Sequence, residues 1–124
     1  MVLDASALLA LINDEPGAET VAAVLRDAAI TTVSLTEVVT KMIDIGVPAE
    51  EAWNEAVDLV PLVVDFGPEL CRRAALLRTS TRAFGLSLGD RACLALAEQL
   101  RLPALTTDLA WGSLSIGVEV RLAR

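Results

Sequence analysis

A chain of 124 residues is long enough to enclose a sizeable core, and residues 1–124 read as one domain. Its composition is 54% apolar with no Tyr, two Phe and two Trp, so Ala, Leu and Val must build that core, and part of the apolar excess is expected to be covered by a partner or a second copy. Histidine is absent, which excludes Ser-His and Cys-His nucleophile pairs and His-ligated zinc, and a net charge of −7 weighs against nucleic-acid binding by overall charge.

The charge is unevenly spread. Between Lys41 and Arg72 there are seven acids and no base, and from Arg72 to Arg101 there are six arginines and two acids. One face could therefore be basic within an acidic whole. Charged residues interrupt every apolar run short of the roughly twenty residues that span a membrane. The N-terminal apolar stretch contains Asp4 and follows no basic segment, so it does not read as a signal peptide, and a cytoplasmic protein is expected. Cys71 and Cys93 fall within helical patterns at a spacing that fits no metal motif. Both are expected to be reduced, buried, small apolar residues.

In chain order, residues 1–4 read as a short buried strand, and Ser6 to about Asn13 as a helix stopped by the turn signal Asn13-Asp14-Glu15-Pro16-Gly17. Val21, Val24 and Leu25 give a helical period over Gly17 to Ala28. Ile30 to Val33 is a β-branched strand. Ser34-Leu35-Thr36-Glu37 has the capping-box pattern and opens a helix to about Gly46. Pro48 starts the next helix, to about Val60. Leu62 to Val64 is a third strand, Pro68 to about Thr81 a helix, and Arg82 to Leu86 a loop. Ser87-Leu88-Gly89-Asp90 opens the most regular helix, to Leu100. Pro103 to Thr106 is a fourth strand, and Val118 to Leu122 an edge strand. Strands alternating with helices predict an α/β fold with a mostly parallel sheet covered on both faces.

Four acids stand apart from the other thirteen. Asp4 and Asp108 each end an apolar strand, so a parallel sheet would carry both to one edge. Glu37 and Asp90 are each expected in the first turn of a helix that starts at that edge. Each also has a purely local reading: Asp4 as a helix cap, Glu37 as the third residue of a capping box, Asp90 as an acid favoured at a helix N-terminus, Asp108 as a turn residue. Two carboxylates about 5 Å apart repel by roughly 3 kcal/mol at an effective dielectric near 20. Four together need a cation, or some protonate. Oxygen ligands select hard ions such as Mg²⁺ or Mn²⁺. Such an ion acidifies a bound water and clamps a phosphate, which suits phosphodiester hydrolysis without histidine.

Val2-Leu3-Asp4-Ala5-Ser6-Ala7-Leu8, Ser34-Leu35-Thr36-Glu37-Val38, Leu86 to Ala97 (LSLGDRACLALA) and Leu105-Thr106-Thr107-Asp108-Leu109-Ala110-Trp111 together make the chain resemble the PIN-domain family of metal-dependent nucleases, most closely the VapC-type toxins of toxin–antitoxin pairs. The Leu86–Ala97 stretch is the most specific. The resemblance implies a three-layer α/β/α sandwich in which Asp4, Glu37, Asp90 and Asp108 bind one or two Mg²⁺ or Mn²⁺ ions. Ser6 and Thr106 match hydroxyl positions that support the acids, though both could simply bond local backbone. It further implies an endoribonuclease acting on tRNA, ribosomal RNA or mRNA, a VapB-like antitoxin and a homodimer. A groove lined by Arg72, Arg73, Arg78, Arg82 or Arg91 could supply RNA contacts, unless these are solvated helix faces.

Other small α/β folds fit less well. A phosphoacceptor domain needs a lysine after a late strand, and the sole lysine, Lys41, lies in a helical pattern. An Asp-x-Asp phosphatase fails because Ser6 stands where the second Asp should be. A PIN-like module that binds without cleaving, and a nuclease acting on DNA, remain open at this level.

Overall fold

Short apolar strands alternate with helices, the pattern that lays strands parallel and covers both faces of a sheet. The computed structural model describes residues 1–124. The first half runs β1 (Val2–Leu3), α1 (Ala5–Ile12), α2 (Ala18–Val24), β2 (Ala29–Thr31), α3 (Thr32–Asp44), α4 (Ala49–Leu59) and β3 (Leu62–Val64). The second half runs α5 (Pro68–Leu76), α6 (Arg78–Thr81), α7 (Leu88–Leu100), β4 (Ala104–Thr106) and β5 (Val120–Leu122).

The five strands lie in the order β3-β2-β1-β4-β5, and every pair is parallel. The chain winds outward from β1 to β3, then returns to lay β4 on the other side of β1. The winding therefore reverses between β1 and β4. In open α/β sheets the crevice beyond the carboxyl ends of the strands at such a reversal is where ligands bind. Asp4 follows β1 there, and Thr107 and Asp108 follow β4.

Side chains on a strand alternate between faces. Val2 pairs with Ala29 and Ala104, and all three face the layer of α5 and α7. Leu3, Ile30 and Leu105 face the opposite layer with Leu8, Leu35, Val38 and Met42. These six strand residues are essentially inaccessible to water. Burial of each of the larger ones contributes about 2 kcal/mol, enough for strands this short to hold register. On the second face small residues allow close approach. Ala92 to Ala97 of α7 are all buried, so this helix is wedged against the sheet and its N-terminus is fixed at the carboxyl edge.

Five expectations need correction. α3 begins at Thr32, so Thr32 and Val33 are helical, not strand. Its cap is Thr31, whose hydroxyl oxygen accepts from the Ser34 N–H at 3.0 Å, so Ser34 and Glu37 form no capping box and Glu37 lies in the second turn. The helix read as Pro68 to Thr81 divides into α5 and α6 around Leu77. The edge strand is shorter, Val120–Leu122. Cys71 is exposed, and only Cys93 is buried: Leu70, Ala74 and Leu77 form the buried stripe of this segment, and Cys71 is turned about 100° away from Leu70 by the helical period.

Candidate metal centre

Asp4 has both the local role and more. As the residue before α1 it caps the helix, its Oδ1 accepting from the Ala7 N–H at 2.8 Å. The Ser6 hydroxyl donates to the same oxygen at 2.7 Å, and the Thr106 hydroxyl donates to Oδ2 at 2.6 Å. A carboxylate offers about four lone-pair sites. Three are taken, which leaves one on Oδ2. The residue is only 4% exposed. Burial pushes its pKa up, the Thr106 and Ser6 hydroxyls and the Ala7 N–H pull it down, and the charge of Asp90 raises it again.

The two hydroxyls are held in turn. The Thr107 N–H donates to Ser6 Oγ, and the Asp108 N–H donates to Thr106 Oγ1, each at 3.0 Å. The ends of β1 and β4 are thus tied by two parallel relays, from backbone amide to hydroxyl to carboxylate. The hydroxyl protons are committed to Asp4, which leaves Ser6 and Thr106 merely in contact with each other at 3.3 Å.

Asp90 completes a true capping box on α7. Its Oδ2 accepts from the Ser87 N–H at 3.0 Å while Ser87 Oγ accepts from the Asp90 N–H at 3.1 Å. Its other oxygen has no such duty. Asp108 is exposed; its Oδ1 accepts from the Ala110 N–H at 3.0 Å and caps the turn after β4. Glu37 is half-buried and its carboxylate lies against Gly89 of α7. Burial raises its pKa first, then the charge of Asp90; Lys41 lowers it and Asp4 raises it.

The charges of Asp4, Glu37 and Asp90 therefore act on one another, and Asp108 is tied to Asp4 through its backbone N–H on Thr106. No three acids stand close enough to form a ready cage for an ion. The donor set nonetheless fits a hard cation: all oxygen, mutually repelling, with Asp4 fixed, Glu37 unanchored, and one oxygen each on Asp90 and Asp108 outside its capping bond. Cys93 is fully buried near this cluster, and burial pushes its thiol pKa well up, consistent with an inert packing role.

The arginines proposed for RNA lie on α5, α6, α7 and the turn between α6 and α7. Arg73 is engaged with Glu69 and Glu98. Arg91 donates to the Ala74 carbonyl at 3.0 Å and ties α7 to α5, while its buried Nε has no partner. Arg72, Arg78 and Arg82 are exposed.

Gly89 was not separable from its motif by sequence reasoning. A Cβ there would collide with the Glu37 carboxylate, so glycine is what lets that carboxylate lie against α7. The one hint in the sequence was a glycine inside a helical pattern, where it costs about 0.5–1 kcal/mol relative to Ala, and its reason lies on another helix.

The family model described as PIN domain matches residues 1–115. No curated protein matches the sequence. Among solved structures, a toxin–antitoxin complex from Klebsiella pneumoniae aligns at TM-score 0.75 and 19% identity, over 99% of this chain and 97% of that one. VapBC-1 from nontypeable Haemophilus influenzae aligns at TM-score 0.72 and 14% identity, over 98% and 96%. Mycobacterium tuberculosis VapC20, a Sarcin-Ricin loop cleaving toxin, aligns at TM-score 0.70 and 15% identity, over 94% and 97%. At these identities the likeness is one of fold.

Proposed function

This chain belongs to the PIN-domain family, and from that premise we propose that it is a metal-dependent endoribonuclease, the toxin of a VapBC-like toxin–antitoxin pair, acting as one domain over residues 1–124. The observation that carries this reading is Asp4: a carboxylate buried at the winding reversal, oriented by two hydroxyls, and facing the charges of Asp90 and Glu37.

Asp4, Asp90 and Asp108 would hold the principal Mg²⁺ or Mn²⁺ ion, with Glu37 joining directly or through water. When bound, such an ion supplies charge neutralisation, an acidified water and a clamp on the phosphate. The chain's own residues do the rest. Ser6 and Thr106 hold the Asp4 carboxylate in one orientation and leave one lone pair of Oδ2 free. Asp90 is held by its box, so it arrives in one orientation. Glu37, with its raised pKa, is suited to accept a proton from the attacking water at a carboxylate oxygen. No helix is long and apolar enough to cross a membrane; a cytoplasmic location belongs to the proposal because the RNA substrates and the antitoxin of this reading are there.

An RNA substrate, of tRNA, ribosomal RNA or mRNA, is supported by the Sarcin-Ricin loop cleaving relative. An antitoxin partner is supported by the toxin–antitoxin complexes among the fold relatives. Exposed Ile43, Ile45 and Trp53 suit an interface with that partner or with a second copy in a homodimer. The alternative reading is a PIN-like module that binds without cleaving, and the presence of all four acids, Asp4, Glu37, Asp90 and Asp108, weighs against it.

Cleavage of total RNA by the purified chain, free of antitoxin, separates these readings. It is run with Mg²⁺, with Mn²⁺ and with chelator, beside Asp90→Asn. Discrete metal-dependent fragments that vanish in the variant support the nuclease. Equal cutting by the variant means a contaminant. Metal binding without cutting of RNA moves the binding module forward, or DNA as substrate.

A further inference from the structure

Lys41 is the only lysine in the chain. It lies one helical turn beyond Glu37 on α3, where residues four apart share a face. It is exposed and enters none of the three ion pairs. Beside it opens a cleft of about 380 Å³, lined by Ser6, Thr107, Lys41 and Arg124 among others. Ser6 also touches the acidic site: its hydroxyl is 2.7 Å from Asp4 Oδ1. The cleft therefore begins one hydrogen bond from the carboxylates. Its volume is within the usual range for small-ligand sites, about 300–1,000 Å³.

A polyanionic strand cannot lie along four carboxylates without cations close by. Arg73 and Arg91 are already engaged, and Arg72 lines a separate cleft with Arg73 and Glu98. Lys41 and Arg124 are the two cations of the cleft that reaches Ser6. Glu15 and Asp44 also line it, so its four charged side chains sum to zero. Next to the acidic site this is the less repulsive place for a phosphate.

We infer that this cleft is a subsite for the nucleotide next to the cleaved bond, with Lys41 donating to its backbone phosphate and Arg124 as the second cation. The inference rests on the nuclease reading above and adds the path of the strand, away from the arginines of α5 to α7. Lys41 is a binding residue here, and a phosphate contact carries no base specificity.

The test is steady-state cleavage of a labelled single-stranded RNA across a salt series, for wild type, Lys41→Gln and Lys41→Arg. Lys41→Gln raises KM by at least about tenfold, as loss of a charge-assisted hydrogen bond does, while the loss of its charge beside Glu37 shows separately in the pH profile of kcat. The slope of log KM against log salt becomes shallower by about 0.7, the share of one phosphate contact on a single strand. Lys41→Arg keeps the slope. Arg124→Gln gives a smaller change of the same kind. Lys41 is exposed, and an unaltered melting temperature verifies that Lys41→Gln is folded. Wild-type cleavage with an unchanged KM and slope in Lys41→Gln overturns the inference and leaves the nuclease standing. A wild type that cleaves no RNA overturns both. Unchanged RNA kinetics with weakened antitoxin binding overturns it in favour of a peptide in the cleft.

Discussion

The two halves of the acidic edge are built on different principles. On the side of β1 and β4, Asp4 accepts three hydrogen bonds, and each of its two hydroxyl donors is fixed by a backbone amide. On the side of α3 and α7, Glu37 is held mainly by the space Gly89 leaves for it. Asp90 stands between, with one oxygen in its capping box. The first half is preorganised and the second adjustable. A fixed ligand sets where a cation sits, and an adjustable one closes on it and on the water beside it.

This contrast orders the expected effects of substitution. Asp4→Asn removes the charge from the fixed half and lowers cleavage by at least about 100-fold, roughly 2.7 kcal/mol of barrier. Thr106→Val breaks one relay, taking a donor from Asp4 and an acceptor from the Asp108 N–H. Metal affinity falls about 10–100-fold, and stability measured by urea unfolding falls by about 1–3 kcal/mol. Gly89→Ala acts on the adjustable half. The Glu37 carboxylate can swing away from the new methyl, so stability changes by less than about 1 kcal/mol while cleavage falls about tenfold. If Gly89→Ala proves more damaging to activity than Thr106→Val, the assignment of fixed and adjustable halves is reversed.

The smallest effect is on pH dependence. Burial and neighbouring charge raise the pKa of both Asp4 and Glu37. The folded state then binds more protons than the unfolded state, from the ordinary carboxylate range upward. Their contribution to stability therefore falls as pH rises through that window. In chelator, the melting temperature should decline from mildly acidic to neutral pH, and Glu37→Gln should flatten part of the decline. Added Mn²⁺ displaces those protons and should stabilise more at the higher pH. A Glu37→Gln profile parallel to wild type would remove Glu37 from the coupled cluster.

Much of this edge is legible in the sequence because it depends on local pattern. Asp4 and Asp108 end apolar strands, and a parallel sheet carries such ends to one side. Ser87 and Asp90 announce their box by spacing alone. Glu37 was misplaced because Thr31 and Ser34 are both competent caps. Thr31 wins since β2 ends where β3 does, with Thr31 opposite Val64, and the chain turns helical at once. Gly89 and Lys41 are illegible locally. One is explained by a helix on the far side of the site, the other by a cleft that three distant segments build.

The most direct test of the central claim is calorimetric titration of Mn²⁺ into wild type and Asp90→Asn. Asparagine can still accept from the Ser87 N–H, so the helix start is kept and only the charge is lost. The account predicts a binding isotherm for wild type that weakens at least about tenfold in the variant. Superimposable isotherms, or no binding in either protein, would contradict a metal centre at this edge.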